Sequence, residues 1–239
     1  MLSFLTLPRI RDVFNGAMHI FYPRLCVACG KNMPPSNVCF CFGCRGQLAP
    51  TDMHHRKENE FTERFWGILP IQTGSAMYFF HRRSPIQRAL HQLKYENKPH
   101  IGQQLGREWG RKLLSSSLYG DIDAIVPIPL HPDRERQRGY NQSALFAQGL
   151  SEILDVPVAD RALRRRQAGA SQTRKKRLER FENVSDRFEV NQVHALKGKH
   201  ILLVDDVLTT GATIGSCGEL ILALPDTRLS LTTIAIAMR

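Results

Sequence analysis

Apolar positions recur along this chain with two different periods, and the switches between them lay out its elements. Ile10, Val13, Phe14, Ala17, Ile20 and Phe21 share one stripe, which predicts an amphipathic helix over Pro8–Tyr22. Gly67–Phe80 predicts a strand or hairpin, and the spacing in Pro85–Tyr95 and Gly102–Leu114 predicts two helices. Ile122–Pro129 (IDAIVPIP) is an apolar run that ends in prolines, the mark of a buried strand running into a turn. Helical spacing returns over Tyr140–Leu154. The last third then alternates again, with a strand at His200–Val207, a helix at about Thr213–Leu224 and a strand at Leu229–Met238. Strands that alternate with helices predict an α/β fold, a parallel sheet covered by helices. Pro50–Glu63 (PTDMHHRKENEFTE) keeps neither period and predicts a linker. The chain therefore divides into an N-terminal helix and small module over 1–50, a linker over 51–64 and the α/β domain over 65–239. No internal repeat is visible.

The strand His200–Val207 ends in two adjacent carboxylates, Asp205 and Asp206, and Thr209, Thr210, Gly211, Ala212 and Thr213 follow (VDDVLTTGAT). Parallel α/β sheets bind ligands at the carboxyl ends of their strands, so the position favours a site. Hydroxyls and successive backbone N–H groups at a helix start make a phosphate cradle, and Gly211 permits close approach. Neighbouring carboxylates tolerate each other when they share sugar hydroxyls or a hydrated Mg²⁺. A ribose 5-phosphate satisfies both halves. The purely structural alternative is a helix cap built from ordinary turn residues.

Cysteine chemistry sets the N-terminal module apart. CVACGKNMPPSNVCFCFGC holds Cys26-x-x-Cys29 and Cys41-x-x-Cys44, with Cys39 beside the second pair. Two close pairs supply four thiolates for a closed, tetrahedral structural Zn²⁺ site. The 11 residues between the pairs contain Gly30 and Pro34-Pro35, which let the loop turn tightly. Cys39 competes with Cys41 as third ligand on spacing alone. A disulfide and a redox-active CxxC are the alternatives. His54 and His55 lie in the polar stretch and are not assigned as ligands, and Cys217 is read as a small buried residue.

Charge narrows the partners. The 239 residues are 42% hydrophobic, enough for a full core, and 33 Lys and Arg against 22 Asp and Glu give a net charge of +11. That balance favours polyanions, phosphorylated ligands or nucleic acid. Residues 161–187 concentrate it, with ten basic side chains, Arg174, Lys175 and Lys176 among them, against three acids. This run is either a solvated face, a hood that closes over a ligand, or a stripe that holds single-stranded DNA through its phosphates. No apolar stretch approaches the roughly 18 residues of a membrane span, and Arg9, Arg11 and Asp12 interrupt the N-terminus where a secretory segment would continue. A cytoplasmic protein is expected.

VDDVLTTGAT resembles the phosphoribosyl-diphosphate (PRPP) binding motif of type I phosphoribosyltransferases. VPIPLHPDRERQRGYNQS at 126–143, LKY at 93–95 and QTRKKRLERFENV at 172–184 resemble the ComF family, phosphoribosyltransferase-like proteins with an N-terminal zinc finger linked to competence and DNA uptake. The resemblance implies that Asp205 and Asp206 face the ribose hydroxyls and that Thr209–Thr213 wrap the 5-phosphate. It also implies that the turn after Pro129 is the pyrophosphate loop, with Arg134, Arg136 and above all Arg138, tied to Gly139, Tyr140 and Asn141, meeting the diphosphate. Lys94 is either a further phosphate contact or an exposed helix end. The family pattern favours Cys26, Cys29, Cys41 and Cys44 as zinc ligands. Thr209 stands where purine-salvage transferases carry an aspartate, and a threonine is no general base near neutral pH, which weakens a salvage role. The implied function is PRPP binding with Mg²⁺ in DNA uptake and natural transformation, with single-stranded DNA and uptake-machinery proteins as partners. A metabolic transferase delivering ribose 5-phosphate to an amine or base, and a PRPP sensor without turnover, are the alternatives.

Overall fold

The computed structural model describes residues 24–34, 38–166 and 188–238. The helix expected over Pro8–Tyr22 and most of the basic run lie outside the described residues. Eight strands are described: β1 (Arg24–Leu25), β2 (Asn32–Met33), β3 (Gly74–Phe80), β4 (Ala124–Pro127), β5 (Leu163–Arg165), β6 (Phe188–Val190), β7 (His200–Leu208) and β8 (Arg228–Ala237). Seven α-helices accompany them: α1 (Phe42–Arg45), α2 (Glu60–Glu63), α3 (Pro85–Tyr95), α4 (His100–Leu114), α5 (Pro132–Arg138), α6 (Gln142–Leu154) and α7 (Ala212–Leu222).

Four strands form the expected parallel sheet in the order β3-β8-β7-β4. Val204 of β7 lies between Pro127 of β4 and Thr232 of β8, so the carboxyl ends of the strands finish together. The two central strands are buried on both faces, which is why β7 opens on the unbroken apolar run Ile201–Val204, while β8 buries Ser230, Thr232 and Thr233 among its apolar positions. Helices α3, α4 and α6 cover one face, packing Leu90, Leu93, Leu105, Trp109, Phe146 and Leu150 over Leu202 and Val204. The other face closes under α7 and α2, with Phe61, Phe65, Ile214, Cys217 and Ile221 over Leu203 and Leu231. Cys217 is fully buried there. Among the described residues no helix is long and apolar enough to cross a membrane.

Three differences from the sequence reading matter for the site. The turn after Pro129 is a helix, α5: His131 caps it through Asp133 N–H, Pro132 opens it, and Gly139 at φ 81° closes it. Strands β5, near the start of the basic run, and β6, just after its end, form a short antiparallel pair, three residues each and too short to carry a period. The stretch 51–64 is built into the domain rather than spanning a gap. Pro50 bridges Tyr78, Thr51 N–H donates to Met77 O at 3.3 Å, and Met53, His54 and Phe61 are buried. Asn59 and Thr62 form a capping box that starts α2, and Asn59 Nδ2 also donates to Gly74 O at the head of β3.

Candidate functional site

Asp205 and Asp206 sit at the carboxyl end of β7, and different elements hold each. Asp205 Oδ1 accepts from Ser143 Oγ at 2.9 Å and from the Asp206 backbone N–H at 2.8 Å. Burial, and next the Asp206 charge, push the Asp205 carboxyl up to about 7. Asp206 is buried, and its Oδ2 is ion-paired with Lys94 Nζ at 2.7 Å. Lys94 lies in the last turn of α3, so this helix aims its terminal cation at the strand end.

Lys94 also lines a cavity of about 610 Å³ together with Tyr95, Asn97, Arg134, Arg136 and Arg138. Arg138 donates to Gln142 Oε1 and stands over the Tyr95 ring, 5.7 Å from its centroid. Arg136 is paired with Asp133 on the exposed side of α5. The turn behind Arg138 is fixed residue by residue. Tyr140 Oη donates to Leu93 O at 2.6 Å, Asn141 Nδ2 donates to Ile128 O at 2.9 Å, and Asn141 Oδ1 caps α6 at Ser143 N–H. GYNQS thus ties α3, the end of β4 and Asp205 to one point.

The Thr-Gly loop completes the edge. Gly211 takes φ 85° at the start of α7, a conformation that favours glycine, and a Cβ there would press on the Phe65 ring at 3.4 Å. Thr209, Thr210 and Thr213 are exposed, and at the start of α7, where N–H groups have no partner within the helix, Ala212 N–H donates to Thr210 Oγ1 at 3.4 Å. Arg64 braces this loop by donating to Thr209 O at 2.6 Å and to Ala237 O at the end of β8. Arg64 and Ser143 were missed by sequence reasoning. Each reaches its partner across a large gap in the chain, and only GYNQS, quoted for its arginine, hinted at Ser143. The donor chemistry fits Mg²⁺: two adjacent carboxylates at a strand end offer the oxygens that a hard cation keeping its waters prefers, and Lys94 links them to the basic cavity.

In the N-terminal module the Sγ atoms of Cys26, Cys29, Cys41 and Cys44 lie within 4.8 Å of one another. Cys29 and Cys41 are 3.6 Å apart, near the ~3.8 Å edge of a tetrahedron with zinc–sulfur bonds of ~2.3 Å. Burial opposes ionisation of Cys26, but backbone N–H groups, chiefly that of Cys41 at 3.3 Å, outweigh it and bring the thiol down to about 7. Burial and the surrounding thiols push Cys44 up to about 12. Four sulfurs this close can be thiolates together only around a cation, which is the condition a structural zinc meets. Cys39 points elsewhere. It is buried, its N–H donates to Glu108 Oε2 at 2.7 Å, and burial drives its thiol far upward, so the cluster takes Cys41.

A parallel sheet whose acidic strand end runs through a Thr-Gly loop into a helix, preceded by a four-cysteine module, is the type I phosphoribosyltransferase fold with a zinc-type appendage. Residues 141–224 match the phosphoribosyl transferase domain family. The chain is 36% identical over 209 residues to competence protein ComFC of Bacillus subtilis, covering 85% of this chain and 81% of that protein. It is 26% identical over 210 residues to competence protein F of Haemophilus influenzae, covering 84% and 92%. DNA utilization protein YhgH of Escherichia coli K12 is 32% identical over 141 residues, 58% of this chain and 61% of that protein. The chain belongs to the ComF family.

Proposed function

We propose that this protein binds PRPP as a Mg²⁺ complex at the carboxyl edge of its sheet and serves DNA uptake, contacting single-stranded DNA through its basic surface. The Lys94–Asp206 ion pair supports the ligand reading most directly, because it joins the paired carboxylates to the arginine-lined cavity across 2.7 Å. In this reading Asp205 and Asp206 take the ribose hydroxyls and the hydrated cation, and Ser143 orients Asp205. Thr209, Thr210, Gly211, Ala212 and Thr213 receive the 5-phosphate. Arg138, held by Gln142 and Tyr95, and Lys94 face the diphosphate, where a planar guanidinium makes paired hydrogen bonds. Mg²⁺, when bound, neutralises charge on the diphosphate and would assist its departure if transfer occurs. Zn²⁺ belongs to Cys26, Cys29, Cys41 and Cys44.

The nucleic-acid half rests on different support. The relatives are named for competence and DNA utilization. The chain carries a net +11, with ten basic residues in 161–187. Arg161, Arg164, Arg165 and Arg166, the part of that run among the described residues, surround cavities beside Pro132 and Glu189. Fluorescence anisotropy with a labelled single-stranded oligonucleotide over a salt series tests this reading. Replacing Arg174, Lys175 and Lys176 by Ala should weaken binding and flatten the dependence of log K on log salt. An unchanged slope places the DNA contact elsewhere, and no binding by the native protein removes it. Pyrophosphate release from the PRPP-saturated protein, with and without the oligonucleotide, separates a transferase from a binding protein.

A further inference from the structure

Lys94 already holds the one oxygen of Asp206 that faces it. Its Nζ is 2.7 Å from Asp206 Oδ2, with the two side chains only 25% and 8% exposed. Asp205 Oδ1 is meanwhile served by the Ser143 hydroxyl and the Asp206 N–H. One carboxylate is thus ion-paired with an ammonium and the other hydrogen-bonded by two neutral donors. A bare divalent cation approaching Asp206 meets a largely buried positive charge at contact distance, where the lowered dielectric of the site leaves the repulsion only partly screened. A cation that arrives on a diphosphate meets a different balance. The diphosphate fills the cavity that Lys94 shares with Arg134, Arg136 and Arg138, and offers the ammonium new anionic oxygens. Lys94 has the means to move: it lies in the last turn of α3 on a flexible four-carbon stem, and its three donors are satisfied by any group of oxygens.

We propose that Lys94 is an exchangeable counter-ion that bars free divalent cations from Asp206 and yields the carboxylate only to a ligand whose diphosphate takes the ammonium in return. Lys94 thereby makes the site selective for the metal–diphosphate complex over the metal alone, and couples the carboxylate pair to the arginine cavity. This rests on the diphosphate reading of the cavity.

Mn²⁺ and inorganic pyrophosphate are the probes, with free Mn²⁺ followed by electron paramagnetic resonance in zinc-loaded protein. The native protein should leave Mn²⁺ free when it is added alone and retain it when pyrophosphate is present. Lys94→Met, which keeps the stem and its packing, should take up Mn²⁺ alone at least about tenfold more tightly than the native protein, and bind pyrophosphate at least about tenfold more weakly. Lys94→Gln removes the charge but retains a donor for Asp206. It should behave as Lys94→Met does, which keeps the test independent of one variant's folding. Lys94→Arg should still exclude Mn²⁺. Equal Mn²⁺ affinity in the native protein and both neutral variants overturns the exchange while pyrophosphate binding by the native protein preserves the diphosphate reading. Failure of the native protein to take up pyrophosphate in any condition overturns that reading and the exchange with it.

Discussion

Ser143 Oγ is the donor that another chain element aims at Asp205, and the carboxylate would keep it when Asp206 turns to a ligand. Ser143→Ala should weaken PRPP binding by about tenfold to a hundredfold, the worth of one hydrogen bond to a charged group, with the fold unchanged by circular dichroism. His54 gives a prediction for stability. It is 2% exposed, with its ring 4.9 Å from Trp109, and burial, then the charges of His55 and Lys112, pull it down to about 4. The folded state therefore holds His54 neutral while the unfolded chain protonates it near 6.5. Stability from this group is complete above that pH and is lost as pH falls toward 4, by on the order of 2 kcal/mol. His54→Phe should flatten the thermal midpoint between pH 6.5 and 4; an unchanged slope would mean that the ring is charged in the fold. At this scale the sequence was readable where a site is local. Asp205, Asp206 and the Thr-Gly loop are consecutive, so their chemistry can be read as a string. Ser143 and Arg64 owe their roles to partners 62 and 145 residues away, and no spacing rule reaches that far.

Helices α4 and α6 cross through glycines. A Cβ on Gly106 would stand 2.3 Å from Phe146 O, and one on Gly149 would stand 2.2 Å from Gln103 O. Gly106→Ala should therefore cost about 2–3 kcal/mol and lower the thermal midpoint by about 5–10 °C. Because α6 carries Ser143 at its start, ligand binding should weaken with it; a midpoint within a degree of native would show that the helices can separate freely. Gly102, Gly106 and Gly110 recur every fourth residue, a face on which a neighbouring helix can come close. Helix and strand positions were readable at this scale because burial imposes a period. Two elements were not. Helix α5 has charged and polar side chains all round with none buried, so no stripe marks it and only Pro132 and Gly139 signal its ends. The three-residue strands β5 and β6 pair across the basic run, through contacts that periodicity does not encode.

The whole molecule joins what composition divides. Cys26, Val27, Ala28, Phe40 and Cys44 belong to the same apolar cluster as Met77, Leu90, Leu105 and Trp109. Gln92 Nε2 donates to Val27 O and Ala28 O at 3.3 Å, and Phe40 meets the Tyr78 ring edge-on at 5.9 Å. The change of composition near residue 50 marks different chemistry on two sides of one core. Replacing Cys26 and Cys29 by Ser should release about one zinc per chain, measured by mass spectrometry, and lower a single thermal transition of the entire chain. A preserved main transition with only an early minor one would mean that the module folds apart.

In the proposed function one edge of the sheet gathers the groups for a phosphoribosyl diphosphate. Calorimetric titration of the zinc-loaded protein with PRPP and Mg²⁺, repeated with the Asp205→Ala/Asp206→Ala double variant after its fold is checked, tests it most directly. We expect one site per chain in the native protein and no measurable heat in the double variant. Native protein that takes up no PRPP, or a double variant that titrates as the native does, would contradict it.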